Sequence, residues 1–313
     1  MLYFITQKPF DKVFTEKIPR FRRNEEDKGA IVMKIKITSD STCDLPKELA
    51  ESKNIGIVPL TVIKNDEQFK DNVTITPAEI FAHVAAGGAL CSTTAVSIGE
   101  YLDVFTPLAQ EYDAVVHINL GSGFSSSYQN ACLAAEDFDN VVAIDSQNLS
   151  TGQGLVVLKA VELAETATSL EQLKTELVEF TAKVEASFLV DKLEYLVKGG
   201  RCSSAAALGA NLLNLKPCIE VKNGKMGVTK KYRGKYDKCL VSYVKDKLEG
   251  REDLDLSMPL FLTQTKVTDE CYDAVKEAVS TYGNFETVHD AVAGCTISCH
   301  CGPGTLGILF VRK

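Results

Sequence analysis

No stretch of this 313-residue chain carries the roughly 20 consecutive apolar residues of a membrane-spanning helix, which excludes stable insertion into a bilayer by that route. Positive charge is in deficit. The 34 Lys and Arg stand against 42 Asp and Glu, for a net charge of −8, so no nucleic-acid partner is expected, because affinity for a phosphate backbone comes mostly from Lys and Arg. Residues 1–32 lack the apolar core and small-residue cleavage site of a signal peptide. No C-x-x-C pair occurs. The ten cysteines are scattered from Cys43 to Cys301, and without a secretion signal they read as reduced, mostly buried thiols of a cytoplasmic protein. The cluster to weigh for zinc is Cys299-His300-Cys301 with Cys295, but in a strand His300 would face away from the two thiols, and a metal is not expected. Repeats and low-complexity tracts are also missing. What remains, 45% hydrophobic and 24% charged residues, is the composition of a folded globular protein.

The polar run Arg20-Phe21-Arg22-Arg23-Asn24-Glu25-Glu26-Asp27-Lys28 precedes a clean strand at Met33-Lys34-Ile35-Lys36-Ile37-Thr38. Residues 1–32 are therefore read as a loosely held leader, with Met33 as the working start. A strand at 35–38, a polar turn, a helix over 47–52 and a strand over 56–62 indicate a mostly parallel sheet. Thr76-Pro77-Ala78-Glu79 has the N-cap and first-turn proline of a helix start. A helix from Ile98 is expected to kink or stop at Pro107. Further helices are read at 155–164, 170–184, 193–197, 205–213, 235–248 and 270–280. Strands are read at 141–145, 260–263, 286–289, 296–300 and 306–311, with a hairpin of 217–221 and 226–230 around Asn223-Gly224. The fold class that follows is α/β with two domains. Residues 33–184 form a mostly parallel sheet flanked by helices, and residues 185–313 an α/β domain with a mixed or antiparallel sheet.

The chain is arranged around Ile118-Asn119-Leu120-Gly121-Ser122-Gly123-Phe124-Ser125-Ser126-Ser127-Tyr128. A buried strand over 113–118 precedes it, and a helix over 128–136 follows. Such a turn leaves the first N–H groups of the helix free for a carboxylate or phosphate, and the serine hydroxyls add donors. The same residues also suit an ordinary serine-capped helix.

Several motifs resemble one known family. They are Asp40-Ser41-Thr42-Cys43-Asp44-Leu45-Pro46, Thr93-Thr94 before Gly99-Glu100, Gly123-Phe124-Ser125-Ser126-Ser127-Tyr128-Gln129, Asp145-Ser146, Leu193-Glu194-Tyr195-Leu196-Val197-Lys198-Gly199-Gly200-Arg201, Leu215-Lys216-Pro217 and His300-Cys301-Gly302-Pro303-Gly304. From Met33 to the C-terminus the chain resembles the DegV family. The resemblance implies a two-domain α/β protein holding one long-chain fatty acid, such as palmitate or oleate, between its domains. It also implies that a separate ATP-dependent fatty acid kinase turns that acid into an acyl phosphate, with no catalytic activity in the carrier and no cofactor. Matched motif by motif, it places carboxylate binding on Thr93 and Ser125, with Thr94, Gly123 and Ser126 in the supporting segments. Arg233 and His300 would serve the exchange with the kinase. The family's Gln-Pro after the threonine is Ala95-Val96 here, and Ser126 stands where the family has a glycine, which would crowd the loop if that position needs a positive φ.

The chemistry agrees with that assignment. A carboxylate in an apolar cleft needs donors, and hydroxyls with loop N–H groups supply charge-assisted bonds. A tail needs a dry channel, for which residues 155–158, 188–190 and 205–213 are candidates, although on the residues alone they read first as plain core. Two rivals come from other classes. A dinucleotide-binding oxidoreductase would use Gly121-x-Gly123 and Asp145, but Ser126 occupies the third glycine position. A serine hydrolase would use Ser125 with His300, but the loop lacks G-x-S-x-G.

Overall fold

In the computed structural model, which describes residues 32–207 and 215–313, the strand Ala114–Asn119 is buried at every position. It pairs with Ile35–Asp40 on one side and Val141–Asp145 on the other, and Gly56–Val58 completes the sheet. All three pairings are parallel. Strands covered on both faces need apolar side chains at successive positions rather than in alternation, and Val115, Val116 and Ile118 provide them. The expected strand over 56–62 is two strands, because the second half, Thr61–Lys64, leaves for a small antiparallel sheet. Pro59 sits at the break, where its missing N–H ends the ladder. In that small sheet Thr61–Lys64 lies between Glu67–Lys70 and Ser92–Thr94, with Val62 opposite Thr93.

The second large sheet has six strands in the order Lys225–Arg233, Leu215–Lys222, Val184–Leu189, Leu306–Val311, Leu260–Gln264, Val288–Val292. Its pairings are antiparallel except the last, so the sheet is mixed. The fold class is α/β with one parallel and one mixed sheet. The expected boundary after residue 184 falls where Val184 opens the first strand of this sheet in chain order; the helix before it is shorter than read, Leu170–Thr181. The hairpin turns on Asn223 and Gly224, both at positive φ (51° and 69°), as a mirror-image two-residue turn requires.

The helix Ser150–Ala164 is buried over its first eight residues and lies between the two large sheets. One hydrophobic cluster runs through it, from Ile37, Val116 and Ile118 of the parallel sheet to Ala186, Phe261 and Leu309 of the mixed one. Buried all round over its first eight residues, this helix is a core helix, so Leu155, Val156 and Val157 are packing residues rather than channel wall.

Two further expectations give way. Ile98–Glu111 is one uninterrupted helix with Pro107 inside it. Pro107 and Asp103, whose carbonyl loses its partner, are both exposed, so water satisfies the freed group. Residues 296–300 are not a strand but part of the helix Cys295–Cys301. The leader over residues 1–31 and the 208–213 portion of the expected helix lie outside the described residues. Among the described residues no helix is long and apolar enough to cross a membrane.

Candidate functional site

The helix Cys295–Cys301 forms because its N-terminal N–H groups meet carboxylates distant in sequence. Asp44 Oδ1 accepts from Gly294 N at 2.8 Å, Asp71 Oδ1 from Cys295 N at 2.8 Å, and Asp71 Oδ2 from Thr296 N at 3.2 Å. Unpaired donors and a positive dipole end favour such anions. Ser150 Oγ donates to Asp44 at 2.5 Å and Ser41 Oγ to Asp71 at 2.9 Å. Burial pushes the Asp44 carboxyl well above the ordinary carboxylate range, although Ser150 and Gly294 oppose the shift. A tertiary contact thus overrides an alternating local pattern that reads as strand.

At the other end of this helix His300 Nε2 lies 2.9 Å from Thr93 Oγ1. The ring packs on Gly199, where an added Cβ would stand 2.6 Å from Nδ1. Nδ1 is buried without a partner. Burial, helped by the nearby Arg201 charge, lowers the His300 pKa to about 4, so the imidazole is neutral at pH 7. Arg201 donates from Nη1 to Gly199 O at 2.8 Å and from Nε to Phe124 O at 3.3 Å. The double glycine lets the chain turn there, Gly200 taking φ 71°.

These groups line one small cavity of about 50 Å³. Thr93, Thr94, Ser125, Arg201, Thr296 and His300 are its polar wall, and Leu60, Leu120, Phe124, Leu149, Met226 and Ile297 most of its apolar wall. Leu149, Ile297 and Cys301 also line a second, smaller chamber of about 20 Å³, which reaches Phe188, Gly307 and Leu309 of the mixed sheet. The threonine hydroxyls of that chamber are engaged elsewhere. Thr263 Oγ1 pairs with Thr151, Thr265 Oγ1 donates to Gly302 O, and Thr305 Oγ1 donates to Cys301 O. The inner chamber is therefore dry-walled, and the outer one carries the charge and free donors.

The structure thus brings Thr93, Thr94, Ser125 and His300 together in one wall. It places three other residues elsewhere. Gly123 is outside the wall, and a Cβ there would meet Gly224 O at 2.2 Å, so glycine is needed for the hairpin to approach the serine loop. Ser126 is exposed, and at φ −79° it carries none of the strain that a positive φ would impose. Arg233 is exposed opposite Leu215 on an outer strand and lines neither chamber. Ser125 has two roles. Its Oγ accepts from Ser127 N at 3.2 Å and lies 2.9 Å from Ser127 Oγ, so it satisfies the first N–H of the helix Ser127–Ala135, from one residue before the N-cap Ser126, while facing the cavity. Of the candidate channel segments, Phe188 lines the inner chamber.

Sequence reasoning gave no role to Arg201, although it closes the Lys198-Gly199-Gly200-Arg201 motif, nor to Asp71, Thr296 and Ile297. A positive charge directly after two glycines was the available signal for Arg201. For the other three there was none, since each acts through contacts distant in sequence.

The rival chemistries lack their groups. Asp145, wanted free for a ribose, accepts from Ser122 Oγ at 2.6 Å, Ser122 N at 3.1 Å and Gln147 N at 2.8 Å. Ser125 is paired with Ser127 and His300 with Thr93, so the Ser125–His300 pair that a hydrolase would need is not formed. All ten cysteines are free. Among the described residues no three His, Cys, Asp or Glu side chains are grouped to hold a metal ion.

Comparison with known proteins gives a consistent result. A model of the DegV family, described as one of uncharacterised proteins, matches residues 34–313. Protein DegV of Bacillus subtilis is 31% identical over 284 residues, which is 90% of this chain and 100% of that protein. A DegV domain-containing protein of Listeria innocua is 33% identical over 283 residues, 90% and 99% of the two chains. Among solved structures, the fatty acid-binding DegV family protein of Thermus thermophilus superposes with a TM-score of 0.81 at 31% identity, covering 90% of this chain and all of that one. A stearic acid-binding protein of Eubacterium ventriosum gives 0.76 at 28% identity, covering 89% and 98%.

Proposed function

The chain belongs to the DegV family, and from that premise we propose that it binds one long-chain fatty acid across the two chambers. The observation that carries this reading is that a cavity with a polar wall and an apolar one lie back to back, with Leu149, Ile297 and Cys301 in the walls of both. The carboxylate sits in the outer chamber, held by the hydroxyls of Thr93 and Ser125, with the Arg201 charge and the neutral His300 ring alongside. Burying a carboxylate unpaired is costly, so this concentration of donors suits an anion. The hydrocarbon tail passes into the inner chamber, each buried CH₂ contributing about 0.8 kcal/mol. Solved relatives described as fatty acid-binding and stearic acid-binding support the ligand class.

The protein acts as a carrier rather than an enzyme, and neither a metal nor an organic cofactor enters this reading. A separate ATP-dependent kinase would take the presented carboxylate, whose oxygen attacks the γ-phosphorus of ATP to give an acyl phosphate and ADP. His300, bonded to Thr93, would stand beside the reacting carboxylate, and the exposed Arg233 would meet the kinase. The segments 33–184 and 185–313 are taken as the two domains that enclose the ligand. Denaturing extraction of purified protein followed by mass spectrometry is expected to release one fatty acid per chain. Absence of lipid together with no uptake of added palmitate or oleate would overturn the reading.

A further inference from the structure

The walls of the two chambers have three residues in common, Leu149, Ile297 and Cys301. These three side chains stand between the outer chamber and the inner one. Leu149 and Cys301 are each 5% exposed and backed by core, whereas Ile297 is only half-buried and keeps surface toward the open space. Ile297 lies three residues before His300 and four before Cys301, so the three share one face of the helix Cys295–Cys301. That face joins the head-group wall to the passage.

The position of Ile297 is fixed from both ends of its helix. Asp44 and Asp71 hold the N-terminus, and the contact of His300 with Thr93 holds the last turn. The side chain is also stiff, since a β-branched residue in a helix has one strongly preferred χ1 rotamer. A fixed helix and a fixed rotamer give a constriction of set width rather than a mobile gate.

We propose that Ile297 is a specificity-determining residue, whose side chain sets how readily an acyl chain extends from the outer into the inner chamber and so which chain lengths the protein prefers. This rests on the fatty acid reading. In a protein with the passage closed, the methylenes that would enter the inner chamber stay outside it, and each one excluded lowers affinity about fourfold. A short acid that fits within the outer chamber loses nothing.

The test compares wild type, Ile297→Phe and Ile297→Ala by direct titration with decanoate, myristate, palmitate, stearate and oleate, after removal of bound lipid. Ile297→Phe is expected to keep decanoate binding and to lose at least about tenfold in the palmitate-to-decanoate affinity ratio, as exclusion of two or more methylenes requires. Ile297→Ala, which keeps the helix and needs no extra space, is expected to raise oleate relative to palmitate, because the bent chain gains most from a wider passage. If either folded variant keeps the wild-type ratios, or weakens all acids equally, Ile297 is only a packing residue and the inference fails. If wild type itself takes up no acid of any length, the fatty acid reading fails instead, and the two failures are distinguishable.

Discussion

The backbone N–H of Cys295 donates to Asp71 Oδ1 at 2.8 Å across 224 residues of sequence. The same carboxylate accepts from Thr296 N and from Ser41 Oγ. One buried side chain therefore ties the helix that carries His300 to the turn after the first strand. The site at the far end of that helix inherits its placement from this bond.

Replacing Asp71 by Ala leaves two buried N–H groups and a buried hydroxyl without their acceptor, each worth about 1–3 kcal/mol when orphaned. The expected loss of stability is about 2–4 kcal/mol after relaxation, read as a lower urea midpoint at unchanged m-value. Asp71→Asn, which keeps one carbonyl acceptor, is expected to lose less. Equal stability of Asp71→Ala and wild type would show that the helix needs no such anchor.

Thr93→Ala and Ser125→Ala each remove a hydroxyl from the charged head group, a bond worth roughly 1.5–3 kcal/mol, or about 10- to 150-fold in fatty acid affinity. The double variant is expected to lose less than the sum, because both hydroxyls serve one carboxylate. Normal binding by Ser125→Ala would leave that residue only its local bond to Ser127 N.

Gly199→Ala tests the packing behind the site. The new methyl would stand 2.6 Å from His300 Nδ1, so the ring must move and its 2.9 Å contact with Thr93 must lengthen. The expected result is at least tenfold weaker fatty acid binding, with a histidine ring resonance shifted in the NMR spectrum. Unchanged binding and an unchanged ring signal would contradict the close packing.

His300 is expected to titrate at about 4, against an ordinary histidine value of about 6.5. The sign follows from linkage. Between those two values the unfolded chain binds the proton and the folded chain does not, so this contribution to stability is complete above about pH 6.5 and is lost as pH falls toward 4. The stability difference between wild type and His300→Gln is therefore expected to be constant above neutrality and to shrink in acid. A ring titrating near 6.5 by NMR would mean that water reaches it.

Local patterns decided much of this protein. The run Ala114-Val115-Val116-His117-Ile118 reads as a buried strand because both its faces are covered, and Asn223-Gly224 reads as a hairpin because both residues tolerate positive φ. Thr76 and Ser97 each cap a helix through a reciprocal bond with a glutamate three residues on. The motifs around Thr93, Ser125 and His300 likewise stand in the sequence as short strings whose residue types suit a carboxylate. What the sequence did not contain was their meeting. The segment at 296–300 alternates like a strand, and it is helical because Asp44 and Asp71 satisfy its first N–H groups. Pro107 stays inside a helix because its unpaired carbonyl partner faces water. Arg201 enters the cavity wall through bonds to Gly199 and Phe124, whereas Arg233, equally charged and equally close to a glycine, stays outside it. Strand periodicity and turn chemistry are short-range effects, fixed by a residue and its near neighbours. Which donor meets which acceptor across two hundred residues is settled by the packing of the sheets around the buried helix Ser150–Ala164, and only the tertiary structure decides it.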